Sequence, residues 1–303
     1  MRTRAAVAVA LMLATHATLQ AQRFRTQSAL VLIDALVTDG RRVITGLGAG
    51  DFEVLDNNVP QSVEQVYVEQ LPLNVIMVLD TSGSVAGERL DFLKKGALAI
   101  VDRLRPADRV ALVSFSHRLD LPSGFTADRA WVRTAIASLR AGGSTSLLDA
   151  AFAGLAFRGA SSTRTLMVLF SDGVDTGSIL DDERVLRVAA RSDATVYAIG
   201  VRESPRVVSG AGARPLAGQN QQEPATDDRF LGRIARDTGG RLLHAQQNRD
   251  IETTFARVIE EFNSRYVLGY SPAGTLAPGW HQVTVRLKTR QGTVLARRGY
   301  FAK

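Results

Sequence analysis

The sequence predicts an α/β protein whose doubly wound, mainly parallel sheet is flanked by a small β unit built from the N- and C-terminal segments. Three observations predict it. Through the middle of the chain, short apolar runs alternate with amphipathic stretches of a dozen or more residues, the pattern of strand followed by crossover helix. Those apolar runs lack polar alternation, which suits strands covered by helices on both faces. Both ends of the chain change to alternating patterns broken by Gly, Pro and Asn, the pattern of antiparallel strands and turns.

In chain order, residues 1–21 read as an export signal, the rival readings being a retained N-terminal anchor or an ordinary buried helix. Arg2 and Arg4 precede an apolar run from Ala5 to Ala14 that is too short to span a bilayer, and small residues lead to a cut expected after Ala21, although Leu19 stands where a small residue is usual. Residues 22–70 form a β-rich segment, with Asp39-Gly40 and Asn57-Asn58 as turns. From residue 71 to 265 the α/β part begins with the strand LNVIMVLD ending at Asp80, then a helix carrying Leu90, Leu93, Ala97, Ile100, Val101 and Leu104 on one stripe, stopped near Pro106. The strand RVALVSFSH, an antiparallel edge strand near Leu119–Phe125, and helices around Asp128–Leu139 and Thr145–Phe157 come next. TLMVLFSD and TVYAIGV are two further strands joined by a helix that Asp181 caps. Residues 203–226, rich in Gly, Pro, Ser and Gln, read as an insertion, after which helix, short strand and helix complete the part near Arg265. Residues 266–303 return to β patterning in YVLGYSP, HQVTVRLK and TVLARRGYF. They are expected to pair with the N-terminal β segment, because neither end is large enough to bury its own apolar face.

Composition narrows the functional classes. A chain of 303 residues with 45% hydrophobic content supports a substantial core. With no cysteine, disulfides, thiolate metal sites and cysteine nucleophiles are excluded. The formal charge of +7 falls to +5 without Arg2 and Arg4, and the remaining basic residues are scattered among acids, which disfavours a nucleic-acid partner. No segment after the export signal reads as a transmembrane helix.

The informative text is VIMVLDTSGSV, which sets Asp80, Ser82 and Ser84 at alternate positions beyond the first parallel strand. In extended backbone such residues point the same way, so one carboxylate and two hydroxyls converge while Gly83 permits a tight path. Hard oxygen donors suit Mg²⁺, Mn²⁺ or Ca²⁺. Taken alone, the spacing equally fits a hydrogen-bonded turn in which Ser82 or Ser84 caps the next helix. Two further loops bear on the choice. Gly142-Gly143 opens a loop that brings Thr145 to the first turn of a helix, and FSDGVD places Asp172 at the end of a neighbouring strand. In doubly wound sheets the carboxyl ends of adjacent strands share one ligand-binding crevice.

Asp80-Thr81-Ser82-Gly83-Ser84, then Thr145, then Asp172 resembles the metal-ion-dependent adhesion site of von Willebrand factor type A domains, with all five positions in order. The β-rich start TGLGAGDFEVLDNN and the ending YVLGYSP to RRGYF resemble a bacterial branch of that family, so the likeness covers nearly the whole chain beyond the export signal. The resemblance implies a Rossmann-like fold in which Asp80, Ser82, Ser84 and Thr145 ligate a divalent ion, Mg²⁺ first, and Asp172 acts directly or through water. It implies a protein partner that offers an acidic side chain or C-terminus to the ion, in an adhesion or assembly role rather than catalysis, and the export signal places the protein in the periplasm, on the cell surface or among secreted proteins. The rival readings are a metal-assisted hydrolase, for which no general base is evident, and a structural envelope protein whose ion merely ties loops together.

Other residues receive plainer readings. Asp175 is expected to be a solvated turn acid and Asp149 an exposed helical acid. His117, His244 and His281 show no paired metal spacing. Ser116-His117 lacks a Gly-x-Ser-x-Gly elbow, and neither TSGSVAGERL nor GAGD fits a nucleotide-binding motif.

Overall fold

A computed structural model describes residues 30–302 except 41, 69–70, 158–162, 173, 202–225 and 276. The expected export signal at 1–21 lies outside the described residues, as does the 203–226 stretch apart from Thr226.

The chain opens with β1 (Val31–Asp39), β2 (Arg42–Val43), β3 (Phe52–Asp56), β4 (Val59–Gln61) and β5 (Gln65–Val68). Asn57 and Asn58 both take positive φ, which makes the tight β3–β4 hairpin. The α/β part follows: β6 (Leu73–Asp80), α1 (Glu88–Arg103), β7 (Arg109–Phe115), β8 (Leu119–Thr126), α2 (Arg129–Ser138), α3 (Leu147–Ala156) and β9 (Arg164–Ser171). It continues with α4 (Asp182–Arg191), β10 (Ala194–Val201), α5 (Thr226–Asp237), β11 (Leu242–Ala245) and α6 (Asp250–Asn263). Last come β12 (Tyr266–Tyr270), β13 (Gly279–Leu287), β14 (Thr293–Ala296) and β15 (Gly299–Ala302).

The central sheet runs β11-β10-β9-β6-β7-β8, parallel throughout except for β8 at one edge. Every residue of β6 is buried, because the pleat sends alternate side chains to opposite covered faces. Val75, Met77 and Leu79 join α1, α2 and α6 in one core, while Ile76 and Val78 join α3, α4 and α5 in the other. The chain leaves β6 for β7 on one side and returns to β9 on the other, so the topological switch lies between β6 and β9.

The terminal segments pair with each other as expected, but they form two antiparallel sheets rather than one. One runs β14-β1-β12-β5 with β2 beside β1, and the other runs β15-β13-β3-β4. Ile33 and Leu268 from the first sheet share a core with Phe52, Val54 and Val283 from the second. The expected single strand TVLARRGYF is accordingly two strands in different sheets. Arg297 and Arg298 interrupt it, since Arg297 turns to Asp193 Oδ1 (3.0 Å) and the Ser192 carbonyl (2.8 Å) beyond α4. Behind them, Asp56 accepts from the Tyr270 hydroxyl (3.0 Å) and the Tyr300 hydroxyl (2.8 Å), and lies 2.8 Å from His281 Nδ1. Burial opposes the His281 charge, but the Ala277 carbonyl and the Asp56 carboxylate outweigh it and hold the imidazole above its ordinary pKa.

Arg265, fully buried, ties the β segments to the α/β part. It donates to the carbonyls of Asp34 (3.2 Å), Gly239 (2.6 Å) and Leu295 (3.0 Å) and to the Tyr197 hydroxyl (3.1 Å). Among the described residues no helix is long and apolar enough to cross a membrane.

Candidate metal centre

Asp80 ends β6, and Asp172 follows the last residue of its neighbour β9, so both carboxylates stand at the topological switch. Beyond Asp80 the chain makes a short 3₁₀ turn, Gly83–Val85, before α1 begins at Glu88 behind Gly87. Neither Ser82, at the head of that turn, nor Gly87 caps through its side chain. The capping alternative for Ser82 and Ser84 therefore fails. Their hydroxyls lie 2.9 Å apart, and Ser84 Oγ donates to Asp172 Oδ1 at 2.7 Å.

Asp80 is fully buried and is oriented by its neighbours. Its Oδ1 accepts from the Ser82 amide (2.8 Å), and its Oδ2 accepts from Ser171 Oγ (2.8 Å), one residue before Asp172. Burial pushes its pKa up to about 6, and the nearby Asp172 carboxylate adds to the rise against the hydrogen bonds of Ser82 and Ser171.

The Thr145 loop is stitched to this turn by backbone bonds. Gly83 N donates to the Gly143 carbonyl (2.9 Å) and Gly142 N to the Thr81 carbonyl (2.8 Å), while Ser146 N ties the loop to the Ser116 carbonyl just beyond β7 (3.0 Å). Gly143 has φ +85°, and a Cβ there would meet His117 Nδ1 at 2.1 Å, so only glycine suits this path. Thr145 lies in the loop, two residues ahead of α3 rather than in its first turn. It is buried, and its carbonyl accepts from Thr176 and Gly177 N–H (both 2.9 Å), which docks the loop after β9 against it.

The structure thus gathers the loops that carry all five candidates, and direct bonds join Ser82 to Asp80 and to Ser84, and Ser84 to Asp172. Burial falls outward, since Asp80, Ser82 and Thr145 are buried, Asp172 as a whole residue is half-buried and Ser84 is exposed. Among the described residues no three of His, Asp and Glu gather as a metal group, so the donor set is two carboxylates and hydroxyls. Such hard, sparsely charged donors fit Mg²⁺, Mn²⁺ or Ca²⁺.

Two nearby acids are engaged elsewhere. Asp149, half-buried on α3, accepts from the amides of Ile179 and Leu180 (both 3.0 Å), so it holds the loop rather than lying exposed as expected. Asp175 is a turn acid but half-buried rather than solvated, accepting from Ser178 Oγ at 2.6 Å and from Leu148 N at 3.3 Å in the first turn of α3. Sequence reasoning missed Arg89. In the first turn of α1, it forms an ion pair with Asp172, lies 3.4 Å from the Ser84 carbonyl, and donates through Nε to Asn248 Oδ1 at 2.9 Å.

The site can be set against known proteins. The uncharacterized protein sll0103 of Synechocystis is 30% identical over 163 residues, which are 48% of this chain and 38% of that protein. The chain therefore spans well under half of that relative's length. A solved von Willebrand factor type A protein from Catenulispora acidiphila aligns over 88% of this chain and 76% of its own, with TM-score 0.50 and 12% identity. Proximal thread matrix protein 1 from the mussel byssus aligns over 67% of this chain and 49% of its own, with TM-score 0.50 and 17% identity. At those identities the two structures speak to the fold alone. A family model described as the von Willebrand factor type A domain matches residues 74–257, more than half of the chain, and the protein belongs to that family.

Proposed function

We propose that this protein is an exported binding module that holds one divalent cation, Mg²⁺ in the first instance, and presents it to an acidic side chain or C-terminus of a partner protein. Asp80, Ser82, Ser84 and Thr145 would hold the ion, with Asp172 acting directly or through water. The supporting observation is the convergence of two carboxylates and two seryl hydroxyls at one point, with neither serine engaged in helix capping. Bound there, the cation supplies a Lewis-acidic point charge. The protein's own residues fix the position of that charge through the buried Asp80 and leave Ser84 exposed.

Mg²⁺ favours six oxygens and retains water readily, so a site with two acids leaves room for a carboxylate from outside. A binding role is preferred over catalysis because Asp149 and Asp175, which sit beside the Thr145 loop, are held by backbone and Ser178 bonds rather than poised as general bases. Export rests on the signature in residues 1–21.

The test is calorimetric. The parent protein is expected to bind Mg²⁺ with a single site, and Asp80→Ala to lose that binding while keeping its circular dichroism. Thr145→Ala should weaken partner capture from an envelope extract in Mg²⁺ more than it weakens folding. Unchanged Mg²⁺ affinity in Asp80→Ala, or identical proteins captured in Mg²⁺ and in chelator, would overturn the reading.

A further inference from the structure

We propose that Arg89 sets the charge of the cation site: it holds Asp172 before the ion binds, opposes the ion's entry, and afterwards supplies the positive charge that draws an anionic partner group. The inference rests on the cation-site reading above and adds to it a residue that selects what the loaded site accepts.

The geometry is that of a built position. Arg89 lies in the first turn of α1, directly beyond the turn that carries Ser82 and Ser84. Its guanidinium pairs with the Asp172 carboxylate, which is wholly shielded from solvent, and the Arg89 side chain is itself only 12% exposed. Nη1 also faces the Ser84 carbonyl at 3.4 Å, and Nε is anchored by Asn248 Oδ1 at 2.9 Å, just ahead of α6. Three separate stretches of chain therefore hold one cationic group against a residue of the proposed site.

Charge counting gives the consequence. Asp80 and Asp172 ionised contribute two negative charges, and a divalent ion between them leaves a neutral centre. With Arg89 included, the loaded centre is singly positive, and the cation-free centre carries one negative charge instead of two. A guanidinium keeps its proton at every working pH, so this offset is permanent. In a partly shielded setting a unit charge a few ångströms away is a strong effect. Arg89 thus weakens the attraction for the metal and strengthens the attraction for an anion through its charge alone.

The effects oppose one another, which separates this role from a merely structural one. Mn²⁺ binding is measured by titration calorimetry on the parent, Arg89→Gln and Arg89→Lys. At saturating Mn²⁺, binding is then measured for a short peptide bearing a single aspartate and for its asparagine counterpart. Arg89→Gln is expected to bind Mn²⁺ about ten-fold tighter and the aspartate peptide about ten-fold more weakly. Arg89→Lys, which keeps the charge, should leave both affinities within about three-fold of the parent. The asparagine peptide should bind negligibly to all three.

If Arg89→Gln binds Mn²⁺ no tighter than the parent, or holds the aspartate peptide equally well, the inference is overturned while the cation site stands. Absence of Mn²⁺ binding in the parent would overturn both. Should Arg89→Gln not fold, a ten-fold change of either affinity in Arg89→Lys would itself count against control by charge.

Discussion

At the scale of single residues, the cost of the site is concentrated in Asp80. Its carboxyl is fully buried, and its folded pKa, about 6, lies above the ordinary value of 3.8. A raised acid contributes its full stability below the ordinary value and loses it as pH climbs through the folded one, so at pH 7 the ionised group opposes folding in the absence of a cation. Asp80→Asn keeps an acceptor for the Ser82 amide and places an amide beside Ser171 Oγ. In chelator at pH 7 it should stabilise the protein by about 1–3 kcal/mol, a gain that shrinks towards pH 4, while metal binding is lost. Urea unfolding at both pH values measures this, and equal stabilities at pH 7 would show that Asp80 carries no such penalty. Of the five candidates, Asp80, Ser82 and Ser84 were legible because their spacing is local. Arg89 was not, because a first-turn arginine reads as a solvated charge and its partner Asp172 lies 83 residues away. The role of Asp149 was hidden for the same reason, since the amides it holds belong to another loop.

At the scale of elements, α1 carries Arg89 at one end and packs against α6 along its length. Gly96 allows this approach, because a Cβ there would sit 2.8 Å from the Phe255 ring. Gly96→Val should therefore push the helices apart and destabilise the protein by about 1–3 kcal/mol. It should also loosen the Arg89–Asn248 bond, which joins the starts of the two helices. Chemical denaturation checks the first effect; a stability equal to the parent's would mean that α6 yields freely. The helices and central strands were readable from apolar periodicity, which pinned α1 through its stripe and β6 through its unbroken run. The division of TVLARRGYF into β14 and β15 was not readable, because both halves have strand character and the break depends on Arg297 finding Asp193 and Ser192 beside α4.

At the scale of the whole molecule, Arg265 makes the α/β part and the terminal β segments interdependent. Its donors satisfy carbonyls on β1, on the turn after α5 and on β14, so no polypeptide stretch holds it alone. Removing it leaves several buried acceptors unpaired, and Arg265→Ala should cost about 3 kcal/mol or more. The two tryptophans report separately, Trp131 on α2 and Trp280 on β13. Single-tryptophan variants of the parent should unfold at one common midpoint, and Arg265→Ala should lower both together. Two separated midpoints in the parent would mean that the parts fold independently.

The order of the central strands and helices, the class of fold, and the oxygen donors of one turn and two strand ends on which the proposed cation site draws are written in the local sequence. These follow from local physics: periodicity marks buried faces, and residues two apart in extended chain share a direction. Tertiary structure alone decided which side chains neutralise those donors, which acids are occupied by distant amides, and how the chain's ends divide between two sheets. Those outcomes depend on contacts between residues tens to hundreds of positions apart, where charge and hydrogen bonding act through space and leave no periodic trace in the chain.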